Sequence, residues 1–407
     1  MEPTWNKSTD TLPPLPAYPP KPVPGDRIAV VSPSTGRLPA ALPLPYELGL
    51  RRLREEFGLH PVEYPTTRAP AATPQQRADD IHAAFADPSI KALMACIGGD
   101  DQITVLPYLD RDLIRANPKP FFGSSDNTNL LLFLHNLGIV GYHGACVMSE
   151  IGRPIAPHPL TADSVRAALF TSGPYELRPA ERFRDTDRDW SDPATFEREP
   201  DSQPSAGWIW HRPDRVVRGR AWGGCVEVLA WMLMADREIE RDPAAYQGKV
   251  LFLETSEELP SARSVFHILR SMGERGMLAR FPALLTGRAK AWSLEQPNDP
   301  DVKRRYVIDQ REAVLLALST YAPDTMAVFD VDLGHTDPQL VIPYGGEVSV
   351  NTPETSRRSR VWSGGSIVSR LVIAAARTCA GSRPPSNRSA PARTDSRESL
   401  SAATASA

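Results

Sequence analysis

From Asp26 to Leu137 the chain alternates compact apolar runs with amphipathic segments, and that alternation constrains the fold more than any other feature. "DRIAVVSPS" (Asp26–Ser34) is a β-branched run closed by Ser and Pro, which predicts a buried strand. "LPYELGLRRLREEFG" follows with helical spacing and closes near Gly58. "TPQQRADDIHAAFAD" (Thr73–Asp87) is amphipathic behind a capping threonine. "IKALMACIGGDD" reads as a strand entering a Gly-Gly turn, "LPYLDRDLIRANP" as helix, "KPFFG" as strand and Asn127–Leu137 as helix. Such alternation predicts a parallel sheet flanked by helices, with ligands beyond the carboxyl ends of the strands. "CIGGDD" and "FFGSSD" both occupy such ends.

Between about Arg153 and Arg218 the periodicity fails. The stretch is charged and Pro-rich, yet it carries Trp190, Trp208 and Trp210, more apolar surface than a linker requires. Some of these rings are therefore expected over a ligand or pocket. Beyond it, "GRAWGGCVEVLAWMLM" leads into a helix, "GKVLFLETSEE" is a strand with acidic residues at its end, and "SARSVFHILRSMGERG" is a helix. "FPALLTGRAKAW", "DTMAVFDVDLGHTDPQLVIPYGGEVSVN" and "SRVWSGGSIV" read as strands, several of them antiparallel.

With 407 residues, two domains are the natural expectation. The expected organisation is α/β. A Pro-rich arm (1–24) precedes an N-terminal parallel-sheet domain (25–152). An inter-domain linker and substrate-covering loop (153–217) leads to a C-terminal β-rich α+β domain (218–380). The tail (381–407) has too few large apolar side chains to offset the entropy of ordering, and disorder is expected there. A net charge of −3 without a basic stripe argues against nucleic acid and against a membrane surface as partners. Apolar runs such as Leu130–Leu134 are too short to span a bilayer, and the first residues lack the pattern of a secretory signal, so a cytoplasmic location is expected. Cys96, Cys146, Cys225 and Cys379 stand far apart with no CxxC pair, which argues against zinc and against a disulfide framework.

Strand, then Gly123-Ser124-Ser125-Asp126, then helix is the layout of a nucleophile elbow. There Ser125 Oγ would project from a sharp turn beside an available backbone N–H. The position two past Ser125 is Asn127 rather than Gly, and Ser125, Asp126 or Thr128 could equally cap the helix. Among the histidines, His60, His82, His135 and His267 fall in or beside helices and His211 in the charged stretch. His143 and His158 lack a strand-end setting with an adjacent acceptor. His335 follows a strand and Gly334, a setting that suits a proton shuttle, though a solvent-facing turn histidine is the alternative. Glu254 ends the apolar run "VLFLE", a costly place for a carboxylate without a partner unless the strand end reaches solvent. Glu257 and Glu258 are expected to be solvated at the following turn, with Asp337 a turn residue.

"GSSD", "LFLETSEE" and "GHTDP", in that order, resemble the LD-carboxypeptidase family of serine peptidases, and within it the microcin C immunity (MccF-like) branch. "GDRIAVVSPS", "IGGDDQITVLPYLDRDLI", "GRAWGGC" and "IPYGGEV" support the resemblance, which covers roughly Pro24 to Ala380. It implies a Rossmann-like, glutamine-amidotransferase-like first domain and a cofactor-free, metal-free Ser-His-Glu triad. In that triad Ser125 is the nucleophile, His335 the base and then the acid, and Glu254 the residue that orients the imidazole. The implied oxyanion hole uses backbone amides at Gly98, Gly99 and Asp126. The branch also implies that Trp190 stacks on the base of a nucleotide-bearing substrate. Asp100 and Asp101 follow the Gly-Gly turn as candidate substrate contacts, where they could repel an anionic phosphate.

The implied reaction is hydrolysis of an amide at the C-terminal end of a peptidyl- or aminoacyl-nucleotide, giving antibiotic detoxification or self-immunity. The alternative within the family is trimming of L,D-linked murein tetrapeptides. Two rivals lie outside it: a cysteine amidohydrolase using Cys225 in "WGGCVEV", and a non-catalytic nucleotide-binding module using "IGGDD". Whether the protein forms a homodimer is left open.

Overall fold

The computed structural model describes residues 16–351 and 370–374. Its first sheet holds β1 (Arg27–Val31), β2 (His60–Glu63), β3 (Ile90–Ala95), β4 (Phe121–Gly123) and β5 (Gly141–His143), all parallel, in the order β5-β4-β3-β1-β2. Around it lie α1 (Arg37–Ala41), α2 (Pro43–Glu55), α3 (Pro74–Ala86), α4 (Arg111–Ala116), α5 (Thr128–Asn136) and α6 (Pro159–Phe170). Ile28, Ala29, Val30, Phe121 and Phe122 are fully buried, as parallel strands covered on both faces require. Thr73 opens α3 with a full capping box: its hydroxyl accepts Gln76 N–H while the Gln76 side chain accepts Thr73 N–H. "LPYLDRDLIRANP" is not one helix. It splits into a short turn at Leu106–Tyr108 and α4, because the Asp110 carboxylate starts a new helix by accepting the amides of Asp112 and Leu113.

The second half supplies β6 (Pro174–Leu177), β7 (Arg182–Phe183), β8 (Gln203–Pro204), β9 (Ile209–His211), β10 (Val217–Cys225), β11 (Val250–Glu254), β12 (Ala283–Gly287), β13 (Met326–Val331), β14 (Ile342–Tyr344), β15 (Glu347–Asn351) and β16 (Arg370–Ala374). Its helices are α7 (Val226–Met234), α8 (Ala262–Glu274) and α9 (Pro300–Tyr321). The larger sheet runs β6-β16-β15-β10-β11-β12-β13-β9, and β7 pairs with β8 alone.

The α/β class holds, and several strands of the second half are antiparallel as expected, but the centre of the larger sheet is not. β10, β11, β12 and β13 are mutually parallel, and only the flanks are antiparallel. The segment between Arg153 and Arg218 is more structured than a linker. It contributes α6, whose Ala162, Val165 and Leu169 join the core against α2, and it contributes edge strands to the larger sheet. The described part of the Pro-rich arm is also docked: Ala17 exchanges backbone hydrogen bonds with Gly138 and Val140, and Lys21 Nζ donates to Ala167 O. "SRVWSGGSIV" and the expected tail lie outside the described residues.

Two features position the site. β14 pairs antiparallel with β5, so residues from the second half complete the first sheet and set Ile342 opposite His143. Helix α5 is buried from Thr128 to His135 because it is enclosed by both halves: Leu130, Leu131 and Leu134 share one cluster with Trp222, Phe252 and Leu284. That enclosure accounts for the Leu-rich run behind Gly123-Ser124-Ser125-Asp126.

Candidate active site

The carboxyl ends of the two parallel systems converge on a cavity of about 480 Å³. Ser125 enters it from the β4–α5 junction, Gly98 and Gly99 from the turn after β3, and His335 from the loop after β13. Ser125 has φ 59°, the left-handed region that a residue with a Cβ adopts at a cost of roughly 1–2 kcal/mol. The sharp turn expected of a nucleophile elbow is therefore present. A Cβ on Gly98 would lie 2.8 Å from Ser125 Cβ and 3.0 Å from its Oγ, so only glycine lets that backbone pass so close to the hydroxyl.

Glu254 is the last residue of β11 and is 2% exposed, so it does not reach solvent. His335 Nδ1 donates to Glu254 Oε2 at 2.7 Å. The second oxygen, Oε1, lies 3.6 Å from Nε2 of His143, an electrostatic contact too long for a hydrogen bond. His143 is fully buried at the end of β5 with its ring edge against Phe252, so the strand-end setting and nearby acceptor not expected of it are both present. Burial opposes the charge on Glu254, but the two imidazoles outweigh it and hold the carboxyl down to about 2. Burial likewise opposes charging of His335, and Glu254 with Glu257 pushes its pKa up to about 10. Glu257 is exposed as expected, yet it is not merely solvated: its Oε2 lies 3.2 Å from His335 Nε2. With carboxylates on both ring nitrogens, His335 is an imidazolium here.

The other expected residues divide. Trp190 lines the cavity, half-buried. Trp208 instead is buried and donates Nε1–H to Asp332 Oδ2 at 2.9 Å, and Trp210 lies in β9 against the core. Asp126 is fully buried, and its carboxylate accepts Gln102 N–H and Asn129 Nδ2–H, so the side chain braces the turn, with burial pushing its pKa up to about 6. Asp100 and Asp101 are not among the residues that line this cavity, and Asp101 pairs with the buried Arg77 of α3. His82 and His158 accept backbone amides, and His135 is buried beside Lys249.

Cys225 does not line the cavity either. Its thiol donates to Glu227 Oε2, and burial pushes its pKa well up, the reverse of an activated thiol. "WGGC" has a packing explanation: a Cβ on Gly224 would fall 2.5 Å from Thr128 Oγ1, and Cys225 N–H donates to that same oxygen. The glycine admits the first turn of α5 onto β10. Arg153, Arg184, Arg188 and Lys290 in the cavity wall were not foreseen, since nothing in a charged Pro-rich stretch marks which cations turn inward.

Residues 28–144 match the LD-carboxypeptidase N-terminal domain and residues 218–350 the LD-carboxypeptidase C-terminal domain. A probable murein peptide carboxypeptidase of Bacillus subtilis is 26% identical over 349 residues, 81% of this chain and 90% of that protein. The microcin C7 self-immunity protein MccF of Escherichia coli is 24% identical over 67% of this chain and 75% of its own length. In fold, an MccF-like protein from Streptococcus pneumoniae, solved in complex with AMP, aligns with TM-score 0.72 and 24% identity over 86% of this chain and 98% of that one. Matched in both halves, the chain belongs to the LD-carboxypeptidase family and is a serine peptidase.

Proposed function

We propose that this serine peptidase hydrolyses an amide at the C-terminal end of a small peptide-like substrate, using Ser125, His335 and Glu254. The observation that carries the reading is the 2.7 Å His335–Glu254 hydrogen bond, with His335 and Ser125 lining one cavity. Once Glu257 leaves and the Nε2 proton is lost to solvent, the neutral imidazole can accept the Ser125 proton as Oγ attacks the carbonyl carbon. Glu254 on Nδ1 keeps the ring in the required tautomer and offsets the imidazolium charge that forms. Backbone amides of Asp126 and the Gly98–Gly99 turn would stabilise the oxyanion, a contribution of about 10²–10³ in rate per donor. His335 then gives its proton to the leaving nitrogen, and water drawn in by the same base releases the acyl group from Ser125.

The favoured substrate is a peptidyl- or aminoacyl-nucleotide, which would make the protein a detoxification or self-immunity enzyme of the MccF-like branch. Trp190 in the cavity wall supports this, since an aromatic face in a polar loop suits a stacked base. The solved relatives that bind AMP or aspartyl sulfamoyl adenosine support it further. Asp100 and Asp101 are not among the residues lining the cavity, which lessens the repulsion an anionic phosphate would meet there. A murein L,D-tetrapeptide is the second reading, favoured by the length of the match to the Bacillus subtilis murein peptide carboxypeptidase. A side-by-side mass-spectrometric assay of a peptidyl-adenylate amide and an L,D-tetrapeptide separates the two. Faster turnover of the first is expected, and exclusive turnover of the second would move the chain to murein recycling.

A further inference from the structure

Four cationic side chains line the cavity: Arg153, Arg184, Arg188 and Lys290. Two are neutralised locally. Arg153 pairs with Asp337 and Glu199, and Lys290 pairs with Asp187. The other two are not: among the described residues neither Arg184 nor Arg188 forms an ion pair, and Arg184 Nε donates only to the Thr186 hydroxyl. Nε and Nη2 of Arg188 are buried with no hydrogen-bond partner. Its guanidinium lies 5.7 Å from the ring centre of Trp190 and 4.9 Å from that of Phe196, so aromatic faces fix its position in place of a carboxylate. Of the two acidic residues that flank Arg188, Asp187 pairs with Lys290 and Asp189 turns its carboxylate to the amide and hydroxyl of Ser191.

A buried guanidinium with unused donors is a site waiting for an acceptor. We propose that Arg184 and Arg188 form the anion subsite of this cavity and take the phosphoryl group of a nucleotide whose base lies on Trp190. The inference rests on the nucleotide reading above and adds where the negative charge is held. A guanidinium fork offers the oxygens of a phosphoryl group parallel donors, and a second arginine in the same wall adds to the positive charge that favours it. The neighbouring aromatic side chains give a base a surface that a terminal carboxylate has no use for. Along the cavity Glu257 stands at His335, and Arg188 stands beside Trp190. An aminoacyl-nucleotide has the same order, an ammonium on the acyl side of the scissile amide and a phosphoryl on the leaving side.

Equilibrium calorimetry on the full chain tests this without turnover, using AMP, adenosine and N-acetyl-D-alanine as ligands. AMP should bind at least about 10-fold tighter than adenosine, and the advantage should shrink as salt rises. Arg188→Gln should remove that advantage while leaving adenosine affinity unchanged, and Arg188→Lys should restore part of it. Arg184→Gln serves as a second variant should the first fail to fold. Equal affinity for AMP and adenosine would overturn the proposal. So would Arg188-dependent binding of N-acetyl-D-alanine that exceeds AMP binding, which would give the subsite to a carboxylate. Failure here leaves Ser125-dependent hydrolysis standing, because that is read from turnover alone.

Discussion

His335 Nε2 faces Glu257 Oε2 at 3.2 Å, so the nitrogen that the proposed mechanism gives the Ser125 proton is engaged by a carboxylate. Glu257 lines the cavity and its side chain is 57% exposed, so on the proposed mechanism the contact opposes the base rather than serving it. Removing the carboxylate destabilises the imidazolium, so the base is free at lower pH. Glu257→Gln is expected to move the acid limb of the kcat/KM profile about one pH unit lower. An unchanged limb would mean that Glu257 does not hold the proton on His335.

The Glu254–His335 pair makes a prediction about stability. Glu254 falls from 4.5 to about 2 in the fold because the imidazoles outweigh burial, so its contribution is present above pH 4.5 and is lost as pH falls through 2. His335 rises from 6.5 to about 10 as its carboxylates outweigh burial, so its contribution is present below pH 6.5 and is lost as pH rises through 10. The stability lost in Glu254→Gln should therefore be greatest between pH 4.5 and 6.5 and shrink on both sides. Chemical denaturation across pH reads this directly, and the same variant should lose about 10³–10⁴ in kcat.

His143 touches Glu254 from the first sheet, and its ring fills space against Phe252. His143→Ala leaves a cavity and a buried carboxylate oxygen with one contact fewer. A loss of about 2–4 kcal/mol is expected, with a fall in kcat that His143→Gln partly restores. Urea unfolding and steady-state kinetics on both variants check it; wild-type stability in the alanine variant would contradict it.

The residues that escaped sequence reasoning share a cause. The strand–helix alternation of the first half, and the three residues at strand ends, were legible because each is a local pattern. His143 ends a strand of three residues, too short to display periodicity, and its partner is a carboxylate contributed by another sheet. Glu257 and Arg188 are ordinary surface residues until folding turns them to the cavity. A charge beside a Gly-Gly turn gives no sign that Arg77 of α3 pairs with Asp101. α6 was hidden by two prolines just ahead of it, Pro154 and Pro157, and by Pro159 at its first turn, although proline is well tolerated there. Strand direction in the second half depends on α7, α8 and α9 crossing over between neighbours, and α9, with charged residues spread along it, shows little amphipathic contrast.

Trp190→Ala tests substrate class. Loss of the indole should weaken use of a peptidyl-adenylate by about 5- to 150-fold, the equivalent of ~1–3 kcal/mol of stacking, with little effect on a simple peptide. Equal losses on both substrates would assign Trp190 to shaping the cavity alone.

The central claim is that Ser125 is the nucleophile served by His335. The most direct measurement is turnover by wild type and Ser125→Ala, followed by mass spectrometry on the substrate that wild type prefers, with binding measured in parallel. The account predicts a fall in kcat of about 10⁴–10⁶ with substrate affinity retained. Turnover at the wild-type rate in Ser125→Ala would contradict it.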